Sequence, residues 1–435
     1  MGISSAFYSG VSGLNTNSQA MSVIGNNLAN TNTVGFKGSR HVFADLLSGS
    51  INGSGGTSQV GRGVGVSQID QVFSQGTFES TESNLDVAIE GDGFFVLKEV
   101  GDDTTYYSRA GAFRFNDEGY LVNPEGLRVQ GKLFGADGEL APGNATEIQV
   151  KNTGLIQGSA TSAVTLTTNL DSTSAIIDPA IVLAGVIPGD DTTYNYSTST
   201  QVFDSLGNPH LLTSYFVKTG ENQWESAWSA EDTNVPPNIL QGEYVNDAPI
   251  VAGEMLGFTE DGILDGNALD PQVDTTATIL GIDWANGTTP TDLTVTFNTT
   301  QFNSDSVVLS QDQNGFGAGS LTDVEIDGEG AVTAFYSNGE STKVANIVLA
   351  KFINPNGLRT AGSNLFTAGE EAGAARVGIP DAELGSIFTN SLELSNVDMG
   401  VEFVRMITVQ RGFQANSKII TTVDELLGEL INLKR

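Results

Sequence analysis

The 435-residue chain contains no cysteine, only two histidines, and 19 Lys plus Arg against 52 Asp plus Glu. Without cysteine there is no disulfide framework, no thiolate nucleophile and no soft metal ligand. With His41 and His210 alone, a histidine triad or a multi-histidine metal centre has almost no material. A net charge of −33 repels phosphate backbones and anionic lipid, which argues against nucleic acid and membrane surfaces as partners. No apolar run reaches the length of a membrane span. The opening MGISSAFYSGVSG has no basic n-region, no continuous apolar core and no cleavage site, so any export is expected to proceed without a cleaved signal.

The charge that is present is zoned. Residues 1–40 hold Lys37 and Arg40 and no acid, and residues 396–435 carry five acids and five bases, whereas residues 152–342 carry 26 acids against one base, Lys218. The length predicts two to four domains, and the shifts in charge and composition put boundaries near Val150 and Gly319.

Both ends show helical periodicity. Phe7, Leu14, Met21 and Leu28 recur every seven residues, with Ile3 and Ile24 at intervening positions. Met399, Met406, Phe413, Ile420 and Leu427 repeat with the same period, accompanied by Val409, Val423 and Leu430. These are coiled-coil-like stripes. Each carries a mid-stripe Asn, Asn17 or Asn416, which either fixes register as a buried polar group or sits at the stripe edge facing water. Gly10, Gly13 and Gly25 at one end, and Gly400, Gly412 and Gly428 at the other, weaken each helix by roughly 2 to 3 kcal/mol relative to Ala. Helices that cannot hold themselves up, attached to a self-sufficient body, are expected to fold on assembly with copies of the same chain.

Between the ends the chain reads as β. Residues 49–65 (GSINGSGGTSQVGRGVG) are Gly/Ser-rich and read as a flexible joint or an irregular packed loop. Beyond them, Asp/Asn/Gly clusters such as FNDEGYLV, FTEDGILDG and EIDGEGAVTAFYSNG punctuate alternating apolar residues, the pattern of antiparallel hairpins. Trp224, Trp228 and Trp284 are expected in the core of one or two β domains.

Sites for chemistry are scarce. Asp323, Glu325 and Asp327 imitate the start of a calcium loop, but Ala334 stands where the bidentate Glu is required, so strand, turn, strand explains them better. EGDGFFVL lacks the full dinucleotide fingerprint, and Asp92 with Gly93 is read as a tight turn before a strand Phe94 to Leu97. Asp190 and Asp191 either bind divalent cations weakly or are solvated loop carboxylates. No catalytic residue, cofactor site or metal site is assigned, and the chain is read as non-enzymatic.

The segment NNLANTNTVGFK resembles the Ala-Asn-x-x-Thr-x-Gly-Phe-Lys motif of the bacterial flagellar axial proteins, which build rod and hook, on Ala29, Asn30, Thr33, Gly35, Phe36 and Lys37. NLDVAIEGDGFFVL with YSRAGAFRFNDEGYLVNPEGLRVQG resembles their shared β segment, and SNVDMGVEFVRMITVQRGFQANSKIITTVDELL their C-terminal helix. QVFDSLGNPHLLTSYFVK, GAGSLTDVEIDGEGAVTAFYSNGE and the acidic insertion are more similar to the hook members than to the distal rod members.

The resemblance implies a mainly β fold with terminal α-helices that pair as a coiled coil, and hairpin-rich antiparallel β domains inserted between them. Residues 1–35 with 395–435 would be the polymerisation domain, 36–71 a linker, 72–150 with 319–394 an inner β domain and 151–318 an outer acidic β domain. The implied function is a hook subunit that assembles into a flexible tube acting as a universal joint. A distal rod subunit and a secreted β-rich adhesin are the alternatives. Implied partners are copies of the chain, flagellar rod proteins, hook cap and hook-filament junction proteins, and the flagellar type III export apparatus, with an extracellular location and no membrane insertion.

Overall fold

The run Phe94 to Leu97 forms the strand Phe94–Lys98 with its four apolar side chains buried, the expected fate of a short apolar run between turn signals. In the computed structural model, which describes residues 2–46, 49–53, 56–135, 137–150, 155–184, 186–187, 189–230, 238–240, 254–264, 275–282, 284 and 286–433, this strand is central to one of two compact units. Unit 1 comprises Met1–Asn152, Asp323–Ala334 and Ser341–Arg435, and unit 2 comprises Thr153–Thr322 and Phe335–Glu340. The chain is mainly β, with an N-terminal and a C-terminal helix that pack against each other.

In unit 1, Phe94–Lys98 pairs antiparallel with Thr105–Ser108 on one side, and with Arg128–Leu133 and Leu349–Lys351 on the other. Phe73, Phe94, Tyr107, Phe352 and Phe366 meet edge to face over this sheet, the arrangement that aromatic quadrupoles favour. Two short ladders, Phe78–Ser80 with Ser391–Glu393 and Val87–Glu90 with Ser386–Thr389, join the early chain to the late chain. Helix α1 (Gly2–Ala29) precedes these strands.

Among the described residues, unit 2 holds two five-stranded sheets. One is an antiparallel meander of Tyr196–Phe203, Pro209–Gly220 and Gln223–Ala230. In the other, Ala163–Asp171 is antiparallel to Val307–Gln313 but parallel to Thr291–Phe297 and Thr300–Phe302. Those two parallel ladders are the exception within a hairpin-rich antiparallel architecture. They arise because Ala163–Asp171 pairs with strands more than a hundred residues later, and turn signals report only neighbouring strands. A short helix, α2 (Pro179–Ala184), falls between Ala163–Asp171 and Tyr196–Phe203 in sequence. Trp224, Trp228 and Trp284 are buried, together with Phe216, Leu256, Leu293 and Phe297, and the Trp224 indole donates to Gln301 Oε1 at 2.9 Å.

Within residues 36–71, read as a linker, the described residues include regularly paired strands. Ser39–Asp45 is antiparallel to Val64–Gln71 with a bulge at Val42/Phe43, and Gly49–Gly53 pairs with Gly56–Val60. This ladder lies along α1. Thr16 Oγ1 donates to Ser12 O and Val64 O, and Asn27 exchanges two hydrogen bonds with the Ser39 backbone. The polar composition that argued against a core still suits a ladder whose stability comes from the backbone and from the helix it covers. Last in the chain is helix α3 (Met399–Leu433).

All three tryptophans belong to unit 2, so tryptophan fluorescence reports on that unit alone. Phe216→Ala, which empties a fully buried position, is expected to lower the stability read by denaturant titration of that fluorescence by about 3 to 5 kcal/mol. A loss below about 1 kcal/mol would mean that Phe216 is not part of a packed core.

Candidate functional site: the paired terminal helices and their anchor

The two terminal helices run antiparallel where they meet. A Cβ at Gly10 would stand 3.2 Å from Ile420 Cγ1, one at Gly13 2.7 Å from Asn416 Nδ2, and one at Gly412 3.1 Å from Asn17 Oδ1. Glycine therefore lets each helix press against the other's asparagine. The arrangement is reciprocal. Asn17 Nδ2 donates back to Gly13 O at 2.7 Å, and Asn416 Nδ2 donates back to Gly412 O at 3.0 Å. Each asparagine satisfies its own donor within its helix and packs its amide over the opposite glycine. Gly25 and Gly428 meet nothing within 4 Å and Gly400 only Asp398, so those three take no part in the close approach.

The expected stripes are placed unevenly. On α1 the face most deeply buried runs through Gly13, Thr16, Ala20, Ile24 and Asn27. Of the expected residues Ile24 is buried, Leu14, Met21 and Leu28 are half-buried, and Phe7 is exposed. Small residues take the contact and the larger ones fall on its flank. On α3, Val423 is buried and Met406, Val409 and Ile420 are half-buried, while Met399, Phe413 and Leu427 are exposed. The side chains of Ile3 and Leu430 lie outside those described. Val401, Phe403, Val404, Ile407, Ile419 and Leu426 on α3, with Tyr8 and Val11 on α1, add exposed apolar and aromatic surface that no stripe had assigned.

The motif residues after α1 form the anchor of this pair. Asn30 Nδ2 donates to Asn26 O, Thr33 Oγ1 to Asn30 Oδ1, and Phe36 N to Thr33 O, which closes the helix end into a compact turn. Ala29 is the last residue of α1 and is exposed, and Phe36 is half-buried. Gly35 has φ +68°, and a Cβ there would fall 2.5 Å from Ala110 N, so only glycine serves. Its N–H donates to Glu393 O at 2.7 Å.

Lys37 is buried and its Nζ reaches Glu393 Oε1 at 2.6 Å and Ser74 O at 2.8 Å. Arg109 Nη1 lies 3.4 Å from Glu393 Oε2, and Gly76 N donates to Oε1 at 2.8 Å. Burial pulls the Lys37 amine below its ordinary value while the Glu393 carboxylate pulls it back up, and the same opposition acts on Arg109. A second clamp lies beside it, where Asn396 Oδ1 accepts from Gly38 N and its Nδ2 donates to Val72 O and Ser74 O. The sequence reading did not find Glu393, Arg109, Asn27 or Asn396. No local pattern pointed to them, because each meets partners that lie far away in sequence.

Other polar candidates are engaged locally. Asp327 Oδ1 accepts from Glu329 N and Ala331 N in a turn, while Asp323 and Glu325 accept from Asn84. Asp190 caps Thr192 and Asp191 accepts from Tyr194, and Asp92 pairs with Lys351 at 3.3 Å. His210 stacks on Trp284 and shares a hydrogen bond with Asp204. Among the described residues no group of three or more potential metal ligands converges, and no helix is long and apolar enough to cross a membrane.

Four family descriptions match the chain in order: flagella basal body rod protein at residues 7–37, flagellar hook protein FlgE/F/G D1 domain at 88–158, flagellar basal body protein FlaE D2 domain at 169–316, and flagellar basal body rod FlgEFG protein C-terminal at 389–433. The flagellar hook protein FlgE of Borreliella burgdorferi is 35% identical, with 99% of each chain aligned. That of Escherichia coli is 35% identical over 99% of this chain and all of its own. The crystal structure of Helicobacter pylori flagellar hook protein FlgE2, 17% identical, shares the fold with a TM-score of 0.51 over 72% of this chain and 100% of that one. The chain belongs to the flagellar hook protein FlgE family.

Proposed function

We propose that the chain is a structural subunit of the bacterial flagellar hook and that its paired terminal helices are the surface through which copies assemble. The observation that carries the assembly surface is the outward side of α3, where Phe403, Ile407, Phe413 and Leu426 are exposed although α1 already covers the opposite side. Exposed apolar side chains grouped on one element mark an interaction surface. Covering the exposed half of each is worth about 1 kcal/mol, which accumulates over every contact in a tube. The full-length likeness to hook proteins favours this reading over a distal rod subunit or an adhesin.

In the same reading the tube bends as a universal joint between rod and filament, with rod, cap and junction proteins at its ends. The stripe residues Ile3, Phe7, Leu14, Met21, Ile24, Leu28, Met399, Met406, Val409, Phe413, Ile420, Val423, Leu427 and Leu430 divide between the contact of α1 with α3 and contacts between copies. Export runs through the flagellar type III apparatus without signal cleavage, and the assembled protein is extracellular.

Phe413→Asp and Ile407→Asp change side chains already exposed in the single chain. Each is expected to abolish tubes in electron micrographs while leaving the stability of unit 2 within about 0.5 kcal/mol. Tubes of normal length from either variant would sink the assembly surface. In a strain lacking this gene, micrographs should show a basal body with a complete rod and no hook, and loss of the distal rod instead would return the rod reading. Mass spectrometry of subunits sheared from cells should find a mature N-terminus within the first few residues. A start further in would contradict export without cleavage.

A further inference from the structure

A groove of about 360 Å³ lies between α1, the strand Ser39–Asp45 and the first turns of α3, with Ala20, Ile24, Val404 and Val409 among its apolar walls. His41 and Glu402 also line it. The Glu402 side chain is 6% exposed, and its Oε1 accepts from Arg405 Nη1 at 2.6 Å. Its Oε2 is buried and has no partner among the described residues, and neither ring nitrogen of His41 has one.

Glu393, a fully buried carboxylate, is treated differently, since Lys37 and Arg109 take its two oxygens. A buried carboxylate oxygen left unpaired is destabilising, so Glu402 is complementary to a second cation. The bases lining the groove are already committed: Arg405 to Oε1 and Arg40 to Asp70 at 3.4 Å.

One exposed base on α3 has the right surroundings. Phe403, Ile407 and Arg411 follow at four-residue spacing and are exposed on the side of α3 away from α1, and Arg411 has no ion-pair partner among the described residues. We propose that the groove of one copy receives the Arg411 side chain of a second copy. Its stem lies along Val404 and Val409, and its guanidinium donates to Glu402 Oε2 and to the unprotonated His41 nitrogen. Arginine suits this better than lysine because its planar fork serves two acceptors at once. Groove and arginine occupy different faces of one helix, so the contact is heterologous: it does not close into a two-fold dimer and extends from copy to copy. The inference rests on the assembly reading above and names a pair that drives it.

The test is a double-mutant cycle read as the critical concentration for tube formation. Because Arg411 is exposed, Arg411→Ala leaves the fold in place, which helix circular dichroism and tryptophan fluorescence verify. Arg411→Ala and Glu402→Gln are each expected to raise the critical concentration at least tenfold, the double variant no further than the stronger single one, and Lys418→Ala not at all. Arg411→Ala assembling at the wild-type concentration, or fully multiplicative effects in the double variant, would overturn the pairing. A rise with Lys418→Ala that Glu402→Gln masks would assign the groove to a different cation and overturn it equally. Wild-type protein that forms no tubes at all would count against the assembly reading instead.

Discussion

The carboxylate of Glu393 is the constraint on which the terminal helices depend. It has no exposed side-chain surface and receives Lys37, Arg109 and the Gly76 N–H. Removing a carboxylate and two cations from water is penalised by several kilocalories per ion, and the arrangement persists only if each charge finds its partner in good geometry. Lys37 follows α1, Arg109 belongs to the β region and Glu393 precedes α3. Satisfying one carboxylate therefore fixes where α1 leaves the β region relative to where α3 begins. Breaking it by removing Glu393 alone would strand two buried cations, which is why the motif ends in a lysine that looks, by sequence position, like a surface residue.

This node also separates what the sequence made legible from what it did not. The stripes, the β punctuation and the buried tryptophans follow from periodicity and turn chemistry, which act over a few residues. The motif was recognisable, but its purpose was not, because Lys37 and Glu393 are separated by 356 residues and no local pattern links them. Asn27 and Asn396 escaped for the same reason, since each works by bonding backbone that arrives from elsewhere. The stripe on α1 was legible only in part: a heptad count weights large apolar residues, whereas the observed contact is made by glycine, alanine and threonine that allow close approach. The paired strands of residues 39–71 were masked by composition, because a ladder leaning on a helix requires backbone hydrogen bonds more than apolar side chains.

The reciprocal packing of Gly13 on Asn416 and of Gly412 on Asn17 reframes the weakness of the helices. Glycine lowers the stability of each isolated helix by up to about 1 kcal/mol per residue, yet at these two positions it creates the space that the opposite amide fills. The same residues that make either helix marginal alone make the pair specific in register, since sliding by one residue would drive an asparagine against a Cβ. Register is thus set inside the single chain, and the outward faces are left free.

Charge completes the division. Residues 152–342 carry 26 acids and one base, so the corresponding regions of two copies repel at short range, with salt screening that repulsion beyond roughly 8 to 10 Å. In the proposed assembly, attraction between copies would then be concentrated where net charge is small and apolar surface is exposed, as on α1 and α3. A tube built this way would be held by contacts confined to the helices, while the acidic regions resist fusing into a continuous rigid wall. Flexibility and cohesion would then come from different parts of one sequence, with the Glu393 node transmitting position between the helices and the β region of unit 1.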